Sequence, residues 1–419
     1  MFQPVSIIKN ETLKGPMFYY QMPFSYADVC CGMGGFRRAM ETVYPEALCV
    51  FSADIKASAV KAYMVNYGDD CKCDLTTIDP ENIPDIDLLM AGFPCQAFST
   101  AGKRRGFEDT RGTIFFFIMR IVRVKRPVYV ILENVEGLLT HAGGETFGVI
   151  LETLKEAGYH VTHKVISGID VGVPQDRRRL FIVGVRNDEG GPYVFDISTP
   201  TLSTFSDVME HGIQEGIISD SVSEKLLERY TAEELHGKKI NDKRGGDGNI
   251  HSWDLGLKGD VSLTHRELMS KFLTQRRRKS WAVTNGVTWS DGMALSVSNI
   301  ETFHNVDNLQ EILTDLVRVG YLKETEPGWY DMYGGKLSFS IAHILDPEKA
   351  TPTIVATDAD KLAVVDGGIL RRLTLTEVCR LFGYDGYDLS CVTRAKALDL
   401  LGNSVIVPVI ESILDEIDI

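Results

Sequence analysis

The 419-residue sequence has no paired CxxC framework, no low-complexity tract, no apolar run long enough to span a membrane and no surplus of positive charge. Each absence excludes something. The eight cysteines, Cys30, Cys31, Cys49, Cys71, Cys73, Cys95, Cys379 and Cys391, lack the spacing of a zinc site or a disulfide scaffold. They read as free thiols of a reducing compartment, one of which can be catalytic, and no metal is expected. Without a spanning run or a basic-apolar-small N-terminal pattern, the expectation is a cytoplasmic protein with no membrane partner. The formal charge of −14 argues at first sight against nucleic acid. That objection is weak, because phosphate affinity follows local clusters and not the sum. Clusters exist at Lys103-Arg104-Arg105, Arg177-Arg178-Arg179, Lys238-Lys239 and Arg276-Arg277-Arg278-Lys279. Of these, Lys238-Lys239 reads best as solvated surface.

What remains is an ordinary globular composition, 44% hydrophobic and 24% charged, long enough for one large domain and a smaller one. The first half alternates apolar runs with helical patterns. Strands are expected at 24–29, 48–53, 86–91, 128–132 and 179–185, with helices near 35–43, 56–66, 113–124 and 146–157. Continuous apolar runs such as "VYVIL" (128–132) are buried on both faces, as in a parallel sheet with crossover helices. Past Asn187 the alternation gives way to turn residues and mixed charge, which marks a second domain. Within it, "NLQEILTDLVRVGYL" (308–322) is helical in period and "KETEPGWYDMYGGKLSF" (323–339) reads as a hairpin, an order resembling a winged-helix unit. The chain becomes regular again from Arg371 and closes on an amphipathic helix led by Gly402-Asn403-Ser404.

Several stretches carry chemistry. "DVCCGMGGF" (28–36) sets Gly32, Gly34 and Gly35 between a strand and a helix, where a nucleotide-like ligand can approach the backbone. Asp54 ends the next strand, about twenty residues on, and suits ribose hydroxyls. Asp74, in "CDLTTI", is a third carboxylate at an expected strand end, although a helix cap or turn former fits it equally well. In "AGFPCQAFS" (91–99), Pro94 stops a buried strand and sends Cys95 off its carboxyl end in a defined direction. Glu133-Asn134-Val135 follows "VYVIL" and should emerge on the same edge. In "QDRRRLFIVGV", Arg177 and Arg179 share one face of an extended segment. Two guanidiniums there can steady a thiolate or read an oxygen acceptor.

Together these motifs resemble the cytosine-C5 DNA methyltransferase family. "DVCCGMGGF", "GFPCQAFSTAGKRRGFEDTRGTIFF", "ENVEGL", "GVPQDRRRLFIVGVRND", "RRLTLTEVCRLFGY" and "LGNSV" occur in the family's order over roughly residues 24–190 and 351–410. The resemblance implies an α/β fold, a doubly wound, mostly parallel sheet of the S-adenosylmethionine-dependent methyltransferase type with a second, smaller target-recognition domain. The expected division is 1–190 catalytic and cofactor-binding, 191–367 target recognition, 368–396 a hinge segment and 397–419 a C-terminal helix returning to the catalytic domain. It further implies S-adenosyl-L-methionine as cofactor and methyl transfer to a cytosine flipped from double-stranded DNA, since its ring atoms are unreachable inside the stack. Cys95 would add to C6 as nucleophile, Glu133 would bind N3 and the exocyclic amine, Arg179 the O2 edge, and Arg177 would act near the thiol. Gln96 and Ser99 would support the loop around the flipped nucleotide. Asp28, Cys30, Gly32, Gly34, Gly35, Asp54, Ile55, Asp74, Leu75, Pro94, Asn403 and Ser404 would line the donor site. Lys103, Arg104, Arg276, Arg277, Arg278 and Thr353 would meet DNA.

The sequence departs from the family where an aromatic residue is usual and Cys30 stands, and at Ile55, often a bulkier side chain. The family's Thr-Leu pair corresponds to Thr353-Ile354. A compact chain of this kind is expected to be a monomer from a prokaryote or phage, with a restriction endonuclease as functional partner. An RNA-directed enzyme is disfavoured by the large variable region. A non-catalytic homologue is disfavoured because Cys95, Glu133, Arg177 and Arg179 are all present. Amino-methylating enzymes carry an Asp/Asn/Ser-Pro-Pro-aromatic loop that this chain lacks.

Overall fold

In the computed structural model, which describes residues 23–94, 114–197, 201–333 and 339–417, the apolar runs of the first half become one six-stranded sheet. In chain order its elements are β1 (Ser25–Val29), α1 (Gly35–Val43), β2 (Leu48–Ala53), α2 (Ala57–Tyr67), β3 (Leu88–Gly92), α3 (Ile114–Lys125), β4 (Tyr129–Val135), α4 (Glu145–Glu156), β5 (Tyr159–Ile166) and β6 (Arg179–Arg186). The spatial order is β2-β1-β3-β4-β6-β5. Strands β1 to β4 pair in parallel, and β6 runs antiparallel to both its neighbours. The chain steps from β1 to β2 on one side and to β3 on the other. That reversal is the switch point at which open α/β sheets bind ligands, outside the carboxyl ends of the strands. Because β6 is reversed, its first residue, Arg179, pairs with Val135 and reaches that same edge.

The sheet holds because its strands bury both faces. Ala27, Val29, Leu89, Ala91, Val130, Leu132, Leu180 and Ile182 form one core with Phe115, Ile118, Met119 and Val122 of α3 and Ile150 and Leu154 of α4. Each large apolar side chain buried there stabilises by about 1.5–3 kcal/mol relative to exposure. Removing one from the centre would leave a cavity that close packing cannot heal.

The chain divides into two compact units, Met1–Ser203 with Cys379–Ile419, and Thr204–Val378. The divisions fall at 203/204 and 378/379, where the sequence analysis set them at 190/191 and 367/368. The second unit contains α5 (Ser221–Arg229), β7 (Lys239–Ile240), β8 (Asn249–Ile250), α6 (Leu263–Gln275), β9 (Leu295–Ser296), α7 (Val297–Glu301), α8 (Leu309–Val319), β10 (Leu322–Glu326), β11 (Trp329–Met332), β12 (His343–Ile344), β13 (Leu362–Asp366) and β14 (Ile369–Arg372). One sheet is ordered β14-β13-β12-β7-β8 and the other β9-β11-β10. Helix α8 buries Leu309, Ile312, Leu313 and Leu316 at helical spacing and stops at Gly320, whose φ of 87° closes the helix. It then enters the β10–β11 hairpin. A hairpin thus follows a helix directly, as the helix-then-hairpin pattern predicts. A buried ionic cluster braces this unit. Arg371, with no exposed surface, donates to Asp366 at 2.9 Å and to both oxygens of Glu377 at 2.8 and 3.0 Å.

The chain then returns to the first unit with α9 (Arg394–Gly402) and α10 (Val407–Leu414). Taken together, Arg394–Leu414 is long and apolar enough to cross a membrane, against the expectation that no run is. It is broken between its two helices and two-thirds packed inside the protein, as a core element is. Tyr44, just past α1, donates to the Leu414 carbonyl at 3.0 Å and locks α10 in place.

Candidate active site

At the carboxyl edge of the sheet lies a cleft of about 750 Å³ whose walls come from the ends of β2, β3 and β4, the start of β6 and residues 400–405. Its floor is the turn after β1. Cys30, Gly32 and Gly34 all adopt left-handed backbone, with φ of 55°, 56° and 82°. A Cβ at Gly32 would meet nothing within 4 Å, whereas at Gly34 it would lie 2.4 Å from the Tyr67 ring and at Gly35 2.5 Å from Val405. Gly32 therefore faces open space, and the other two glycines permit close packing behind it. Burial, aided by Asp54, pushes the Cys30 thiol up to about 12, so it stays protonated.

Asp54, at the end of β2, accepts the Gly32 N–H at 2.9 Å and the Lys56 N–H at 2.7 Å, which joins two strand ends. Asp74 stands in a turn and not at a strand end, since only a single bridge, Asp54 to Lys72, precedes it. One of its oxygens accepts both the N–H and the hydroxyl of Thr76, at 2.9 and 2.7 Å, and these bonds lower its pKa. Ile55 lines the cleft and is 72% exposed. Leu75, Pro94, Asn403 and Ser404 line it too.

Opposite the glycine turn, Glu133 faces Gly92 across the β3–β4 ladder and its carboxylate lies 3.2 Å from Nε of Arg179. Burial raises the Glu133 pKa against the opposing pull of Arg179 and Arg177. The "ENV" tripeptide lies inside β4 and not after it, because β6 pairs with the strand as far as Val135. The next residue, Asn134, is buried and donates to the Phe93 carbonyl at 2.8 Å. It thereby fixes the turn that leads to Cys95. Sequence reasoning did not single out Asn134, although its place beside Glu133 on an alternating strand was a signal.

The segment before β6 divides by period two. Asp176 and Arg178 turn outward, the first to Ser167 at 3.0 Å and the second to Glu136. Gln175, Arg177 and Arg179 turn inward. Gln175 donates to the Leu381 carbonyl at 2.8 Å, and Arg177 donates to the carbonyls of Gly402 and Ser404 at 2.9 and 2.8 Å. Burial and the neighbouring Arg179 lower the Arg177 pKa to about 9. Arg177 thus ties the Gly402–Ser404 wall to the sheet, a role its position "near the thiol" did not convey. Gln175 was missed, though it opens the same Gln-x-Arg-x-Arg alternation.

Other expected site residues are placed differently. Cys95, Gln96, Ser99, Lys103 and Arg104 lie outside the described residues. Asp28 does not line the cleft; it is fully buried in β1, neither oxygen has a hydrogen-bond partner among the described residues, and burial holds its pKa well above the carboxylate range. Gly34 also stays behind the cleft surface. Arg276 is removed from the set of DNA-facing cations. It is 5% exposed and donates to Asp331 at 2.5 Å, to the Met293 carbonyl at 3.0 Å and to the Gly292 carbonyl. Arg277 is engaged by both oxygens of Asp291 at 3.0 Å. Arg278 and Lys279 are exposed. Thr353 is half-buried and belongs to the second unit.

Solved structures of similar shape show the fold. A methyltransferase of Entamoeba histolytica superposes with a TM-score of 0.52 at 16% identity, covering 94% of this chain and 98% of that one. The Dnmt2 methyltransferase of S. pombe gives 0.51 at 17% identity, over 94% and 97%. At such identities they show the fold alone, that of S-adenosylmethionine-dependent methyltransferases. The family follows from sequence. The profile of the C-5 cytosine-specific DNA methylases matches residues 24–418, and the chain belongs to that family. Its relatives include the Type II methyltransferase M.NlaIV of Neisseria lactamica, 42% identical over 94% of this chain and 98% of that protein. M.BanI of Aneurinibacillus aneurinilyticus is 35% identical over 94% and 96%.

Proposed function

We propose that this DNA cytosine-C5 methyltransferase uses S-adenosylmethionine to methylate a cytosine swung out of duplex DNA, through a transient bond from Cys95 to C6. It would act as the modification enzyme of a restriction–modification system, a reading supported by its Type II relatives. The observation that carries the proposal is the half-buried Glu133–Arg179 pair beside a Phe93 carbonyl held by Asn134. A pyrimidine ring needs a proton donor at N3, an acceptor for its amine and a donor at O2. A glutamic acid of raised pKa beside a guanidinium offers all three.

The cleft fits the donor. An apolar Ile55 left 72% exposed, an open approach at Gly32 and carboxylates at Asp54 and Asp74 suit an adenosyl group. Cys30, Leu75 and Pro94 would enclose its base, and Asn403 and Ser404 its amino-acid end. When bound, S-adenosylmethionine supplies an electrophilic methyl group. The chain does the rest. The Cys95 thiolate adds to C6 with its own electron pair, and the C5–C6 π pair shifts through the ring to N3, leaving C5 as an enamine carbon. Glu133 neutralises the charge by giving its proton to N3. After methyl transfer to C5, the N3 proton returns to the Glu133 carboxylate, the C5 proton leaves to water, and the electron pair of that C–H bond restores the C5–C6 double bond as the Cys95 thiolate departs.

The test is a duplex containing 5-fluorocytosine, whose fluorine cannot leave as a proton does. The expected result is a denaturation-resistant adduct that requires both Cys95 and the donor. Methyl transfer with no adduct, or undiminished activity of Cys95→Ala, would overturn the mechanism. Preference for transfer RNA over DNA as methyl acceptor would overturn the substrate. Bisulfite sequencing of DNA from expressing cells identifies the target site.

A further inference from the structure

Behind the glycine turn, on the side away from the cleft, four tyrosines stack edge to tilted face. Ring centroids are 4.7 Å apart for Tyr63 and Tyr67, 6.2 Å for Tyr67 and Tyr387, and 5.1 Å for Tyr384 and Tyr387. The guanidinium of Arg37 covers Tyr67 at 4.5 Å and that of Arg38 lies 5.9 Å from Tyr384. None of the four lines the cleft. Three of the hydroxyls nevertheless converge on residues that shape it, while that of Tyr63 meets Arg37 and Cys49. Tyr387 donates to the Met33 carbonyl at 2.6 Å, Tyr67 to the Gly34 carbonyl at 2.9 Å, and Tyr384 bonds the Ser404 hydroxyl at 2.7 Å.

We propose that Tyr67 and Tyr387 are positioning residues for the methyl donor: their hydroxyls hold the Met33 and Gly34 carbonyls so that the glycine turn presents a preformed surface. The inference rests on the donor reading of the cleft. The turn between Cys30 and Gly34, with three left-handed residues, is pinned at its ends by the Cys31 N–H to the Ala53 carbonyl at 3.0 Å and the Arg38 N–H to the Gly34 carbonyl at 2.9 Å, but not at Met33. Its internal bond, Gly34 N–H to the Cys31 carbonyl at 2.7 Å, leaves the Met33 carbonyl to an outside donor. The two tyrosines hold the turn from elements far apart in sequence, α2 and the segment after Val378. Without the hydroxyls the turn would have to be ordered at the moment of binding, and that ordering weakens affinity without touching chemistry.

Phenylalanine variants test this, since they keep the stack and remove only the oxygen. Tyr159→Phe is the control. Tyr159, in the strand at the opposite edge of the sheet, is buried and donates to the Pro127 carbonyl at 2.7 Å. Binding of S-adenosylhomocysteine to the full chain would be measured by calorimetry, alongside thermal unfolding and steady-state kinetics. Each of Tyr67→Phe and Tyr387→Phe should weaken binding about threefold, and the pair about tenfold. The donor KM should rise in parallel, with kcat at saturating donor within about twofold of the parent. Tyr159→Phe should lower the unfolding temperature to a similar degree with unchanged affinity. If the double variant loses thermal stability yet binds S-adenosylhomocysteine as the parent does, the hydroxyls are structural only and the inference fails. If the parent itself neither binds the probe nor transfers methyl to DNA, the donor reading fails instead.

Discussion

Replacing Glu133 by glutamine isolates the proton that the proposed chemistry demands. The amide keeps the size of the carboxyl group and an oxygen for Arg179, 3.2 Å away, but it cannot transfer a proton to a ring nitrogen. Losing one such preorganised interaction with developing charge lowers kcat by roughly 10²–10³. Binding of duplex DNA, governed mostly by phosphate contacts, should change little. Because burial raises the Glu133 pKa, the parent's kcat should fall as pH rises through that elevated value, and the variant should lack this limb. Stability follows the same sign. A carboxyl whose folded pKa is raised contributes stability below its unfolded pKa and loses it as pH climbs to the folded one. The parent should therefore lose stability relative to Glu133→Gln across that window and run parallel to it above. Single-turnover methyl transfer and thermal unfolding, both measured across pH, read these effects. A kcat within threefold of the parent, or a stability difference flat across pH, would refute the role.

Three further predictions follow from particular contacts. Arg371→Met should destabilise the second unit by about 3–5 kcal/mol, because Asp366 and Glu377 would be left buried without their cation; chemical denaturation measures it. Arg276→Ala should lower stability and leave the salt dependence of DNA binding unchanged. Arg278→Ala should do the reverse, reducing the slope of log affinity against log salt by about one. Gly34→Ala should abolish donor binding, since its φ of 82° disfavours a side chain and the new Cβ would lie 2.4 Å from the Tyr67 ring; fluorescence or calorimetric titration reads the loss.

Continuous apolar runs carry their own structural meaning, so β1 to β3 lie within two residues of where composition puts them. The same holds for α8, whose apolar stripe and terminal glycine are local signals. What the sequence conceals is the destination of each polar group. Arg276 reads as one of four adjacent cations because its partner, Asp331, lies on another element. Arg177 reads as a group near the thiol because the carbonyls it serves, at Gly402 and Ser404, are more than two hundred residues away. Asp28 reads as a ligand because it opens a glycine motif, yet alternation along β1 turns it into the interior. The length of β4 was likewise hidden, since it depends on an antiparallel partner and not on its own residues.

The wall formed by Gly402, Asn403 and Ser404 is the last part of the site to leave the ribosome. Between it and the strands it completes, the whole of residues 204–378 must be made, which at roughly 5–20 residues per second takes about ten to thirty seconds. Throughout that interval Gln175 and Arg177 have been synthesised but the carbonyls they bind have not. A nascent chain therefore carries its sheet long before it can hold a donor, and competence arrives late, with translation of the final turn-and-helix segment.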